Sequence, residues 1–118
     1  MTVLEKTPCA SAALAFFGVT GVTWNNRTKL NVWEGTLRRN GFAVRSRMSK
    51  LNSKENSVGN ARAKLATVAA QEPAILAFVV RVDGHVLVVA RDGRTVVDAD
   101  PRQRDRRKVR GVYAIMRM

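Results

Sequence analysis

The residues best equipped for chemistry are the single cysteine, Cys9, the single histidine, His85, and two aspartates, Asp98 and Asp100. A thiol, an imidazole and a carboxylate are the parts of a cysteine nucleophile triad. The thiolate attacks a carbonyl, the imidazole passes a proton to the leaving group, and the carboxylate fixes the imidazole tautomer. Cys9 opens an apolar helix-like run that ends at Gly18, and His85 opens the strand-like run His85-Val86-Leu87-Val88-Val89-Ala90. Asp92-Gly93 reads as a two-residue hairpin turn, which pairs Arg91 with Arg94 and sets His85 directly across from Asp100. Opposed residues have Cβ atoms about 4.5–5.5 Å apart, within reach of an imidazole–carboxylate hydrogen bond. Asp98, on the same face two residues back, is the alternative orienter. A loop with one extra residue breaks this pairing. Leu87 and Val89 share the face of His85 and are expected to pack against the Cys9 helix.

The elements that must position these groups carry local start and stop signals. Thr7 suits an N-cap, Pro8 a first helical position and Gly18 a C-terminal exit. Cys9 then lies in the first turn, where free N–H groups and the positive dipole end favour a thiolate. Its bland alternative is a small buried hydrophobe. Gly18 to Lys29 reads as a loop. A second helix is expected over about Leu30 to Arg39, burying Leu30, Trp33 and Leu37, and stopped by Asn40-Gly41. Phe42 to Arg47 alternates as a short strand, and Met48 to Asn60 reads as a mobile polar loop. A third helix is expected over Ala61 to Gln71, ended by Glu72-Pro73. Strands follow at Ala74 to Val82, at His85, at Asp98 and at Val109 to Met118, with Asp83-Gly84 a second tight turn. Helices first and strands after give an α+β class: N-terminal helices packed on an antiparallel meander in one domain, 1–118.

These features together resemble a compact papain-like cysteine peptidase, most similar to the bacteriocin-leader (double-glycine) type. The matching stretches are Pro8-Cys9-Ala10-Ser11-Ala12-Ala13-Leu14, Glu72-Pro73-Ala74-Ile75-Leu76, Gly84-His85-Val86-Leu87-Val88-Val89 and Val96-Val97-Asp98-Ala99-Asp100-Pro101. The resemblance implies Cys on a helix start, His opening a strand and Asp before Pro on the next strand. Such peptidases commonly carry an oxyanion-hole glutamine upstream of the cysteine. Here Val3 holds that position, no Gln precedes Gln71, and Thr7 is the nearby substitute. Losing one oxyanion donor costs about 10²–10³ in rate.

Charge adds a second theme. Lys plus Arg number 21 against 9 Asp plus Glu, a formal net charge of +12. The segment 102–110 is densest, with Arg102, Arg104, Arg106, Arg107, Lys108 and Arg110. It suits an anionic partner, either nucleic acid or an acidic protein, or is simply a solvated basic face. No apolar run reaches the ~20 residues of a membrane span. The opening residues do not read as a signal peptide, and one cysteine excludes an internal disulfide. A cytoplasmic or virion-associated setting is therefore expected. No metal-ligand spacing or phosphate loop appears, so no cofactor is expected. The leading expectation is a peptidase or amide hydrolase acting on a peptide or wall crosslink. The alternatives are an inactive papain-like module of a phage or other assembly, and a basic nucleic-acid-binding protein.

Overall fold

The computed structural model describes residues 9–19, 30–51, 56–82, 85–98 and 106–118. In chain order it has α1 (Cys9–Phe16), α2 (Leu30–Arg39), β1 (Phe42–Ser46), a 3-10 turn (Met48–Lys50), α3 (Val58–Gln71), β2 (Ile75–Val82), β3 (His85–Ala90), β4 (Thr95–Asp98) and β5 (Gly111–Arg117). The class is α+β: the described strands form one antiparallel sheet in the order β1-β5-β2-β3-β4.

The helix ends follow local chemistry. Gly18 takes φ +82° after α1. The N–H of Val19 donates to the Leu14 carbonyl and that of Gly18 to Ala15, each at 3.0 Å. This is a Schellman exit, and its hydrophobic contact is present, since Leu14 and Val19 are buried in one cluster. Gly41, at φ +89°, ends α2 where Asn40-Gly41 marked a stop. The third helix begins earlier than expected. Ser57 caps it by accepting the Asn60 N–H at 3.4 Å, so the expected polar loop yields its last residues to α3. Thr7, Pro8 and the Asp83-Gly84 turn lie outside the described residues, as does most of the expected loop over 18–29.

Both faces of the sheet are covered. Ala13 and Leu14 of α1 and Leu37 of α2 pack with Phe42, Val44, Ala77, Val79, Val88 and Ile115. On the other face, Ala61, Leu65 and Val68 of α3 pack with Phe78, Val80, Leu87, Val89 and Val112. A strand buried on two faces must be apolar at successive positions, which is why Phe78-Val79-Val80 is uninterrupted. The same demand corrects the expected meander. Only β2-β3-β4 follows chain order; β5 crosses back to lie between β1 and β2. Val112, Ala114 and Ile115 of β5 are buried on alternate faces, and an interior place in the sheet satisfies both. The returning chain is anchored on the way, with Val58 N–H donating to Arg107 O (2.9 Å) and Arg110 N–H to Arg81 O (2.7 Å).

The β3–β4 turn differs from the two-residue reading. Ala90 N–H donates to Arg94 O at 2.8 Å and Gly93 N–H to Ala90 O at 3.0 Å, so the loop is Arg91-Asp92-Gly93. Gly93 adopts φ +89°, and the Asp92 carboxylate accepts the Arg94 N–H at 3.0 Å. That is a three-residue hairpin closed by a left-handed glycine. Its tip is locked to α3. A Cβ on Gly93 would sit 2.8 Å from the Arg62 carbonyl oxygen. Arg62 Nη1 donates to Thr95 Oγ1 at 3.0 Å. The Arg91 guanidinium donates to the carbonyls of Ala69 (2.6 Å) and Ile75, capping the C-terminal end of α3.

Gly93→Ala is expected to cost about 2 kcal/mol or more, combining the left-handed strain of a Cβ with its collision against α3. Urea unfolding read by far-UV circular dichroism checks it; an unchanged midpoint contradicts the locked tip.

Candidate active site

The backbone brings the three chemistry-bearing segments onto neighbouring elements. Cys9 is the first residue of α1, His85 the first of β3 and Asp98 the last of β4. α1 packs against both β3 and β4. Contacts run through Val88 and the half-buried Val86 and Val96, which join Ala13 and Leu14 in one cluster. The side chains of Cys9, His85 and Asp98 lie outside the described residues, and so does Asp100 as a whole.

Pairing in this hairpin has two irregularities that offset each other. Near the turn Val89 pairs with Thr95, one step from the expected register, because the loop has three residues. The register then shifts between Val89 and Val88, and Val96 becomes the extra residue of a bulge. Beyond it Val88 pairs with Val97 and Leu87 with Asp98, the register first read from Asp92-Gly93. The other edge of β3 begins with His85 opposite Val82.

One expectation about faces is corrected. Leu87 and Val89 do not meet the Cys9 helix; both are fully buried in the α3 cluster. α1 meets the even-numbered positions, Val86 and Val88. Strand alternation makes these sets exclusive, since successive side chains leave opposite faces.

The basic segment divides. Arg102 and Arg104 lie outside the described residues. Arg106, Lys108 and Arg110 are exposed, and Arg107 is half-buried. Lys108 forms an isolated antiparallel bridge with Ser57, so this stretch is tied to the start of α3.

No sequence motif pointed to the shortest ion pair among the described residues. Arg47 Nη2 and Nε donate to Glu72 Oε1 (2.7 Å) and Oε2 (3.1 Å), joining the end of β1 to the end of α3. No local signal marks it, because the partners are far apart in the chain. The bidentate hydrogen bonding holds the Glu72 carboxyl below its usual range and raises Arg47. Asp92, bonded first by the Arg94 backbone N–H, is likewise lowered. Among the described residues, no three or more His, Cys, Asp or Glu side chains gather as a metal site. Nor is any described helix long and apolar enough to cross a membrane. Comparison with protein-family models, curated proteins and solved structures finds no match for this chain.

The Glu72 carboxyl is lowered in the folded state, so its contribution is present above about pH 4.3 and disappears as pH falls through the lowered value. Glu72→Gln is expected to cost about 0.5–1 kcal/mol near neutral pH, a modest figure because the pair is partly solvated. Urea midpoints of parent and variant should converge on acidification. A gap that persists under acid conditions contradicts the assignment.

Proposed function

We propose that the chain is a small papain-like cysteine peptidase or amide hydrolase, with Cys9 as nucleophile, His85 as acid–base and Asp100 as orienter, Asp98 being the alternative. The observation that carries this reading is the packing of α1, which starts at Cys9, on the two strands that begin with His85 and end with Asp98. A helix start favours the thiolate through its free N–H groups and dipole. The Cys9 thiolate adds to an amide carbonyl, and His85 donates a proton to the departing amine as the C–N bond breaks. Water then attacks the thioester, giving a proton to His85, and the acid leaves as the thiol is restored. The Cys9 backbone N–H supplies one oxyanion donor in this scheme. The substrate is a peptide or a wall crosslink, and a lone thiol suits a cytoplasmic or virion-associated setting.

A second reading, a papain-like module without turnover, draws on β3. Leu87 and Val89, expected beside the Cys9 helix, are buried against α3 instead. The missing upstream glutamine favours the same reading.

Alkylation of Cys9 by iodoacetamide across pH separates the two. The hydrolase reading expects a thiol that reacts well below about pH 8.5, the ordinary cysteine value. His85→Ala should move that profile upward by about one pH unit or more. A Cys9 that titrates at the ordinary value and ignores His85→Ala removes the hydrolase and leaves the inert module.

A further inference from the structure

At the sheet edge opposite β4, β1 has β5 on one side and, among the described residues, no strand on the other. A cleft of about 400 Å³ is lined by β1, the end of β5, Arg38 of α2 and Ala74 just before β2. Three arginines line it, Arg38, Arg45 and Arg117, together with apolar Ala43, Met116 and Met118, and no acidic side chain is among its lining residues. The arginines are held differently. Arg38 donates to the Val44 carbonyl of the edge strand at 2.9 Å and lies 3.4 Å from Glu34. Arg117 sits over the Phe42 ring, 5.3 Å from its centroid. Arg45 is exposed and has no hydrogen bond or ion pair among the described residues.

We propose that this edge binds an extended acidic peptide segment of a partner protein. An edge strand offers backbone donors and acceptors, here with the Val44 carbonyl already accepting from Arg38, and an extended peptide satisfies the remainder by strand addition. Successive side chains of that peptide fall on opposite faces of the sheet. Arginine is available on both. Phe42, beneath Arg117, packs on the α1–α2 face, whereas Arg45, one position from buried Val44, points to the other. Guanidinium forks recognise carboxylates bidentately. Met116 and Met118 add an adaptable apolar lining for the side chains between the acids.

Charge selects among occupants. A second copy of this chain brings another +12 and is repelled. A nucleic-acid strand finds phosphate partners here but no aromatic ring among the lining residues on which to stack a base. An acidic peptide uses the arginines, the apolar lining and the open strand together. The inference is independent of the hydrolase reading, because it uses the far sheet edge and none of Cys9, His85, Asp98 or Asp100.

The test is fluorescence anisotropy of a labelled peptide alternating Glu and Val, beside its Gln counterpart and a thymidine oligonucleotide. The Glu peptide should bind, and the Gln peptide should bind about tenfold or more weakly. Arg45→Glu should weaken the Glu peptide by about tenfold or more, since it reverses an exposed charge at the groove. Its urea midpoint should stay near that of the parent. Lys64→Glu, which makes the same charge change on α3 and away from the groove, should leave peptide binding in place. Equal binding of both peptides overturns the proposal. So does a loss that follows Lys64→Glu rather than Arg45→Glu, or an oligonucleotide that binds while the Glu peptide does not.

Discussion

Everything in this molecule is arranged around a strand that faces protein on both sides. β2 has α1 and α2 over one face and α3 over the other, and its Phe78, Val79 and Val80 are essentially without solvent exposure. Its neighbours β3 and β5 must then be apolar on both faces too, and the polar residues are driven to the edges and turns. Each helix exit and hairpin tip has to land a specific apolar side chain on a specific face. Small local devices therefore carry large consequences here: the Schellman exit that buries Val19, and the left-handed Gly93 that brings the hairpin tip against α3.

The hairpin illustrates how long-range packing edits a local rule. An Asp-Gly pair between apolar runs ordinarily signals a two-residue turn. Here Arg91 leaves the ladder and turns its guanidinium onto the Ala69 carbonyl near the end of α3 and the Ile75 carbonyl at the start of β2. That interaction stabilises a three-residue loop. The displaced register is restored by the bulge before Val97, so Asp98 still faces Leu87. A one-residue slip carried to the end of β4 would have moved its side chains to the wrong faces. The bulge keeps Val88 and Val96 with α1 while the tip remains docked on α3.

Electrostatics follow the same division between buried scaffold and open rim. Buried positions are almost wholly apolar, with Thr36 as the one buried polar or charged residue among those described. The excess positive charge consequently lies outside the core, with exposed groups at both the β1 edge and the segment near the start of α3. Several arginines also act structurally: Arg38 covers an edge carbonyl, Arg47 pairs with Glu72, and Arg91 caps a helix. A net charge of +12 is thus not one binding surface but a mixture of scaffold contacts and free groups.

Local signals determined most elements. Gly18 and Asn40-Gly41 ended their helices because a left-handed exit needs glycine, and the bounds of α2 were readable from its flanks. The alternation that marks strands was equally legible, as was the α+β class. The Ser57 cap was readable but passed over in a polar stretch. Of the candidate residues, Cys9 at the opening of a helix and His85 at the opening of a strand were legible, because termini are set by neighbours in sequence; the return strand was expected to run to Asp100, whereas the described β4 ends at Asp98. What the sequence did not contain was the order β1-β5-β2, the side of the sheet on which Leu87 and Val89 are buried, and the convergence of three arginines at one edge. Those depend on which distant apolar surfaces find each other, and hydrophobic burial is non-directional until the whole chain has packed.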